Sequence, residues 1–488
     1  MTIERTARPS AFTDSETIRR AFCPDEEETP ITSFSLHQPG QCQDRFLEHR
    51  DRFLERALGA NRNLTSLDLI LNPFTDNTAV ALANALRVND TLRSFNLSGN
   101  CLTDAGATAL ATALTVNSTL TSLDLGDNHI ELEGAEALSA ALRVNLTLTS
   151  LDLRDSWFQD EGIESIATAL AVNSTLLLLD LSGNGLDELD AFAGAESIAT
   201  ALRFNSTLTS LNLNCCGLPD ESFEPLADAL RVNSTLTSLN LSGNCSMDIG
   251  GEALAEALSI NSGLTELDLR SNYLETATAV ALAIALTTNS TLTSLNLGFN
   301  VSGDTGAAAL ATALRVNSTL TSLNLGHNFI TNEGIAALAN ALIVNSTLRS
   351  LYLYENYFSE RVRVIDGAAA LAAALRVNTT LTELDLYEAG LSEAGAEALA
   401  DALTTNSTLI SFTGARSLRE MGLVARNVKN VRLRDGSLLN LCLRAVDQND
   451  RRQIVINNRL RDELLLNLCL RAVNQIDSSQ NLPKRLDR

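Results

Sequence analysis

One phrase, Leu-Thr-Ser-Leu-Asx-Leu, returns along the chain at a nearly constant step, and a fixed internal period of this size limits the chain to stacked repeats. Aligned on its first leucine, the phrase begins at Leu64, Leu92, Leu120, Leu148, Leu176, Leu208, Leu236, Leu264, Leu292, Leu320, Leu348, Leu381 and Leu409. The step is 28 residues, except from Leu176 to Leu208 (32) and from Leu348 to Leu381 (33), so the fifth and eleventh repeats carry insertions. A degenerate copy, Ile31-Thr-Ser-Phe-Ser-Leu36, precedes them and reads as an N-terminal capping repeat.

Each unit has two halves of different period. Leu-x-x-Leu-x-Leu-x-x-Asn alternates its last two leucines, which predicts a short strand running into a turn. The second half, such as Gly106-Ala-Thr-Ala-Leu-Ala-Thr-Ala-Leu-Thr-Val-Asn117, is rich in Ala and Leu without alternation and predicts a helix, with Gly at its start and Asn as its stop. One strand and one helix cannot bury a core alone. Neighbouring units must therefore stack into an α/β solenoid with a parallel sheet.

Two asparagine columns follow from the same alignment. Asn72, Asn100, Asn128, Asn184, Asn244, Asn272, Asn300, Asn328 and Asn356 close the strand phrase, and their amides are expected to form a hydrogen-bond ladder with backbone groups of adjacent turns. Ser156, Cys216 and Ala389 interrupt this column and should leave their repeats less well satisfied. The second column (Asn89, Asn117, Asn145, Asn173, Asn205, Asn233 and onward) often reads Asn-Ser-Thr, formally a glycosylation sequon. Its recurrence at the repeat period favours a structural role in the turn.

These residues resemble the leucine-rich repeat family, in particular the 28-residue class found in ribonuclease inhibitor, Ran GTPase-activating protein and innate immune receptors. The resemblance covers about residues 31–413 and implies a horseshoe with strands on the concave face, helices on the convex face, and protein binding as its usual function. The dense cysteines of ribonuclease inhibitor are lacking.

Composition closes off several enzyme classes. Lysine occurs only at Lys429 and Lys484, neither in a Gly-x-x-x-x-Gly-Lys-Ser/Thr setting, so no P-loop exists and no protein-kinase lysine precedes residue 429. His37, His49, His129 and His327 form no His-Glu-x-x-His motif, and no Gly-x-Ser-x-Gly elbow occurs. Eight scattered cysteines with no Cys-x-x-Cys pair read as reduced thiols of a cytoplasmic compartment. The vicinal pair Cys215–Cys216 reads as a small-residue substitution within a repeat. No cofactor or metal is called for. No apolar run is long enough for a membrane span, and the start of the chain has no basic-then-apolar signal.

The flanks differ from the repeats. Residues 1–30 read as a flexible polar leader, and 31–63 as a capping repeat whose segment Asp44–Leu58 forms a helix with Phe46, Phe53 and Leu54 on one face. Residues 64–413 hold twelve full repeats plus a terminal strand; 414–488 read as a basic helical cap built on a duplicated Leu-Leu-Asn-Leu-Cys-Leu-Arg-Ala-Val. This cap has 15 basic and 8 acidic side chains, +7, leaving 21 − 51 = −30 for residues 1–413 of the total of −23. The acidic solenoid points to a basic or mixed-charge protein partner and away from nucleic acid.

In the strand phrase the third, fifth and seventh residues face away from the core. The third is nearly always Ser and the fifth Asp or Asn, a small and mildly acidic lawn. All five tyrosines depart from it, and all fall in repeats eight to twelve: Tyr273, Tyr352, Tyr354, Tyr357 and Tyr387. Phe299, His327 and Phe329 occupy neighbouring loop positions, and the insertion after Tyr357 brings Arg361 and Arg363. Aromatic residues and arginine anchor binding surfaces, so the principal contact patch is placed here. Arg154, Asp155 and the single tryptophan, Trp157, form a secondary patch. The chain thus reads as a monomeric, non-enzymatic binding scaffold. Scarce lysine and a Ser/Thr-rich leader also suit a bacterial effector delivered to a host cytoplasm. The alternative, a GTPase-activating protein of the Ran-directed type, is disfavoured by the basic tail, because such proteins commonly carry an acidic one.

Overall fold

The computed structural model describes residues 33–35, 47–185, 191–244, 246–356, 366–414 and 432–433. Fifteen short parallel strands form one open sheet in strict chain order. They are β1 (Ser33–Ser35), β2 (Ser66–Asp68), β3 (Ser94–Asn96), β4 (Ser122–Asp124), β5 (Ser150–Asp152), β6 (Leu178–Asp180), β7 (Ser210–Asn212) and β8 (Ser238–Asn240). There follow β9 (Glu266–Asp268), β10 (Ser294–Asn296), β11 (Ser322–Asn324), β12 (Ser350–Tyr352), β13 (Glu383–Asp385), β14 (Ser411–Thr413) and β15 (Arg432–Leu433). A helix such as Asp104–Leu114 separates consecutive strands from β2 to β14.

The register repeats residue for residue, with Ser122↔Ser150 and Asp124↔Asp152 as one example. Strands stack about 4.8 Å apart whereas packed helices need about 8–10 Å, so the sheet lies on the inside of any bend and the helices outside. From β2 to β14 the residue at position four is buried, leucine except at Phe95 and Phe412, and most of the residues beside it are only half-buried, as Leu123 is between Ser122 and Asp124. Core leucines from Leu54 to Leu409 form one continuous cluster. Truncating one, such as Leu123→Ala, costs about 2–5 kcal/mol.

Three polar ladders hold the stack in register. In the first, Asn128 Nδ2 donates to Leu97 O (3.1 Å) and Leu125 O (2.8 Å), while its Oδ1 accepts from Leu102 N (3.1 Å). In the second, Asn117 Nδ2 donates to Leu86 O at 2.8 Å and its Oδ1 accepts from Leu120 N at 2.8 Å. Asn117 is only 7% exposed, so this column is turn structure and no place for a glycan. At the interruptions, buried Ser156 Oγ has no partner, and Cys216 substitutes a weak thiol donor to Leu181 O at 3.3 Å. Burial pushes the Cys216 thiol up to about 12, so it is inert rather than redox-active.

The third ladder corrects the expected role of the helix glycines. Gly106 lies inside the helix Asp104–Leu114 without positive φ, and its backbone N donates to Asp76 Oδ1 of the preceding repeat at 3.0 Å. A Cβ at Gly106 would come within 2.6 Å of that oxygen. Asp104 does the same for Gly134, and Asp304 for Gly334. Each aspartate thus caps the next repeat's helix, which explains why Thr103 makes no side-chain cap of its own.

At the N-terminal end, the helix Leu47–Ala60 buries Leu54, Ala57 and Leu58, a spacing of three and four residues. Phe53 is 37% exposed and lies off that face, contrary to the sequence expectation, because the helical period selects Leu54 and not its neighbour. Phe46 lies outside the described residues. At the other end the ladder continues to β15 through Ser411↔Arg432, inside the stretch read as a helical cap; the duplicated leucine segments lie outside the described residues.

Candidate interaction surface

The concave face presents positions three, five and seven of every strand phrase. Its carboxylates are not evenly solvated. Asp124, Asp152 and Asp180 stand in register on β4, β5 and β6. Burial raises the Asp152 carboxyl to about 6, and the neighbouring Asp124 and Asp180 push the same way against the Arg154 amide and guanidinium. Asp124 and Asp268 are also raised, chiefly by burial. Arg154 bridges the first pair, its guanidinium 2.7 Å from Asp152 Oδ2 and 3.6 Å from Asp124 Oδ2. Its stem lies over Gly126, where a Cβ would approach Arg154 Cγ to 2.7 Å.

The loops leaving the strands form the edge of this face. Position eight takes positive φ throughout: glycine at Gly99, Gly183 and Gly243, but Leu71, Asp127, Asp155, Cys215, Ser271, Phe299, His327, Glu355 and Glu388 elsewhere. A non-glycine residue in that region costs about 1–2 kcal/mol. Phe299 and His327 are held there at φ 56 and 52.

These two residues centre the principal patch. The rings of Phe299 and His327 stack at 4.7 Å, with Tyr354 5.9 Å from Phe299 and Phe329 5.7 Å from His327. The Arg270 guanidinium lies 4.8 Å from the Phe299 ring centre, a cation–π contact. Glu355 Oε2 lies 3.2 Å from His327 Nδ1. The structure therefore brings together Phe299, His327, Phe329 and Tyr354. Tyr352 belongs to the strand surface instead, where its hydroxyl donates to Glu383 Oε2 at 2.8 Å. Tyr387 sits at position seven after β13, its N donating to Asp385 Oδ1, and Tyr273 is 62% exposed on the loop after β9. Tyr357, Arg361 and Arg363 lie outside the described residues.

In the secondary patch, Trp157 is 61% exposed and its ring centre is 5.4 Å from that of His129. Asp155 occupies the left-handed position beside Arg154. Sequence reasoning missed Arg270, Glu355, Glu383, His129 and Asp152. A signal existed for Arg270, because it shares position seven with Arg154, Tyr354 and Tyr387, the column's other large polar side chains. Among the described residues no group of His, Cys, Asp and Glu is placed to hold a metal, and no helix is long and apolar enough to cross a membrane.

A one-strand, one-helix unit stacked into an open parallel sheet, with a polar inner face and an aromatic edge, defines a repeat solenoid. The chain belongs to the leucine-rich repeat family. A family profile described as Leucine Rich repeat matches nine segments, 60–83, 88–111, 116–139, 144–167, 204–227, 232–255, 288–311, 316–339 and 377–400. Among solved structures, the chain is similar to an internalin (inlF) of Listeria monocytogenes, at 21% identity over 73% of this chain and 88% of that one, with a TM-score of 0.45. Actin-Binding Site 2 of leiomodin-1 aligns at 28% identity over 28% of this chain and 79% of that one, with a TM-score of 0.24. No curated protein matches the chain.

Proposed function

We propose that the protein is a non-enzymatic, monomeric scaffold that binds a basic or mixed-charge protein through its concave face and the loop edge of repeats eight to twelve. The stacked pair Phe299–His327 carries this reading. Both side chains are displayed from a backbone conformation that glycine occupies at lower cost, and that glycine does occupy in three other repeats. Aromatic rings on a rigid solenoid lose little conformational freedom on docking, which suits them as anchors. Tyr273, Phe329, Tyr352, Tyr354, Tyr357, Arg361, Arg363 and Tyr387 complete the proposed patch, with Arg154, Asp155 and Trp157 as a second contact. The net −30 of residues 1–413 favours a cationic partner and disfavours nucleic acid.

Affinity capture from a candidate host lysate tests the reading, with the wild type compared against a Tyr352/Tyr354/Tyr387→Ser variant. A protein held by the wild type and lost from the variant supports it; identical captures place the contact elsewhere. The scarcity of lysine is consistent with action inside a host cell as a delivered effector, since it leaves few sites for ubiquitination. A fusion of residues 1–30 to a reporter that stays within the producing bacterium would remove that origin.

A further inference from the structure

Among the bulky residues that replace serine or asparagine on the polar lawn, two stand three strands apart and bound one stretch of it. Glu266 on β9 stands in the column filled by Ser238, Ser294 and Ser322, and Tyr352 on β12 stands in the column filled by Asn296 and Asn324. Between them β10 and β11 present only serine and asparagine. The result is a depression of about 290 Å³ with a small polar floor, an acidic wall at Glu266 and Asp268, and an aromatic wall at Tyr352. Three strand spacings separate the walls, about 14 Å.

The walls are electrostatically incomplete in a way the Asp124–Asp152 region is not. There Arg154 bridges the carboxylates, whereas among the described residues Glu266 has no ion pair and accepts only from Ser238 Oγ, at 3.3 Å. Asp268 accepts from Asn296 Nδ2 and the Arg270 amide, both at 2.9 Å. The Arg270 guanidinium itself is turned onto Phe299. Across the floor, the Tyr352 hydroxyl donates to Glu383, which sets a further carboxylate behind the ring. A divalent cation would want several converging oxygens, and no such group occurs among the described residues. A long cationic side chain matches better: its stem can lie on the tyrosine and its head can reach the carboxylates.

The edge above the depression is the aromatic Phe299–His327–Phe329 row, in which Phe329 is 46% accessible. We infer that the depression between β9 and β12 receives an arginine or lysine side chain of the protein partner while this aromatic row packs an apolar residue beside it. The docked segment therefore combines a basic residue with an apolar neighbour. This inference rests on the scaffold reading and sharpens it to one anchor.

Fluorescence anisotropy on the full chain tests it, using a short labelled peptide of arginine and leucine as the probe and its glutamate-for-arginine counterpart as the control. Glu266→Ser with Asp268→Asn introduces the residues that the same columns carry elsewhere, and Phe299→Gly introduces the residue that position eight carries at Gly99, so each variant is expected to fold. Affinity for the arginine peptide should fall about tenfold in either variant. It should stay within about twofold in Glu164→Gln, an exposed carboxylate on an outer helix. The glutamate peptide should not bind. Arginine-peptide binding that ignores these substitutions, binding of the glutamate peptide with equal affinity, or no peptide binding at all overturns the inference. A captured lysate partner lost from the tyrosine variant but retained by Glu266→Ser/Asp268→Asn would leave the scaffold reading standing and remove this one alone.

Discussion

Tyr354 lies across the backbone of Gly326, two consecutive strand phrases sharing position seven, with no room for a methyl group on the glycine. Gly298, one repeat further back, is 3.0 Å from the tyrosine hydroxyl by the same measure. Two glycines in this column thus form the bed of one tyrosine, as Gly126 in the same column lies under Arg154. Gly326→Ala should lower stability by about 1–2 kcal/mol through overpacking. Adding Tyr354→Ser should recover most of that loss, because the two effects share one contact. Thermal melts of the two single variants and the double variant check the coupling; simple additivity would mean that the ring does not depend on the glycine.

At His327, φ is 52 and the ring is stacked on Phe299. His327→Gly relieves the backbone cost and loses the stack. The two nearly cancel, so the melting point should hold or rise slightly, while affinity for a captured partner drops about tenfold. A variant that melts much earlier would mark the ring as structural.

Ser156 breaks the asparagine ladder and leaves a buried hydroxyl without a partner. Ser156→Asn restores the residue that the column uses at Asn128 and Asn184, and should stabilise by about 1 kcal/mol. An unchanged or lower melting point would show that the fourth repeat has no space for the amide.

The Asp152 carboxyl titrates near 6 in the folded chain against an ordinary value of 3.8. Between those values the native state holds more proton than the unfolded chain. Its contribution to stability is therefore full below about pH 4, declines as pH rises, and is gone above about pH 6. Asp152→Asn, which matches Asn96 and Asn212 in the same column, should remove this slope. It should also be more stable than wild type at neutral pH by about 1 kcal/mol, a figure reduced for solvent screening. Melting curves of both proteins at several pH values check the sign; a wild type that gains on the variant as pH rises would reverse it.

The repeat, its strand and helix halves and the first asparagine ladder were all legible in the sequence, because each depends on residue identity at a fixed offset. The aspartate ladder was not. It joins Asp76 to Gly106, 30 residues on, and reading one repeat at a time assigns each to its own helix. Likewise Phe53 and Leu54 look equivalent as apolar residues, and only the helical phase of Leu54, Ala57 and Leu58 separates them. At the candidate surface, the concentration of aromatics was visible, but not the division that sets Tyr352 on the strand face with Glu383 and Tyr354 on the edge with Phe299. Alternation puts both on the same side; what separates them is that Tyr352 is the last residue of β12, whereas Tyr354 lies beyond the strand end, over Gly326 and Gly298.

The central claim is that a protein partner docks on the inner face and loop edge of repeats eight to twelve. Amide hydrogen exchange of the full chain, free and bound to a captured partner, tests it most directly. The account predicts new protection in residues 266–273, 294–301, 322–330 and 350–356, with little change on the outer helices. Protection confined to those helices, or to the repeats before residue 148, would contradict it.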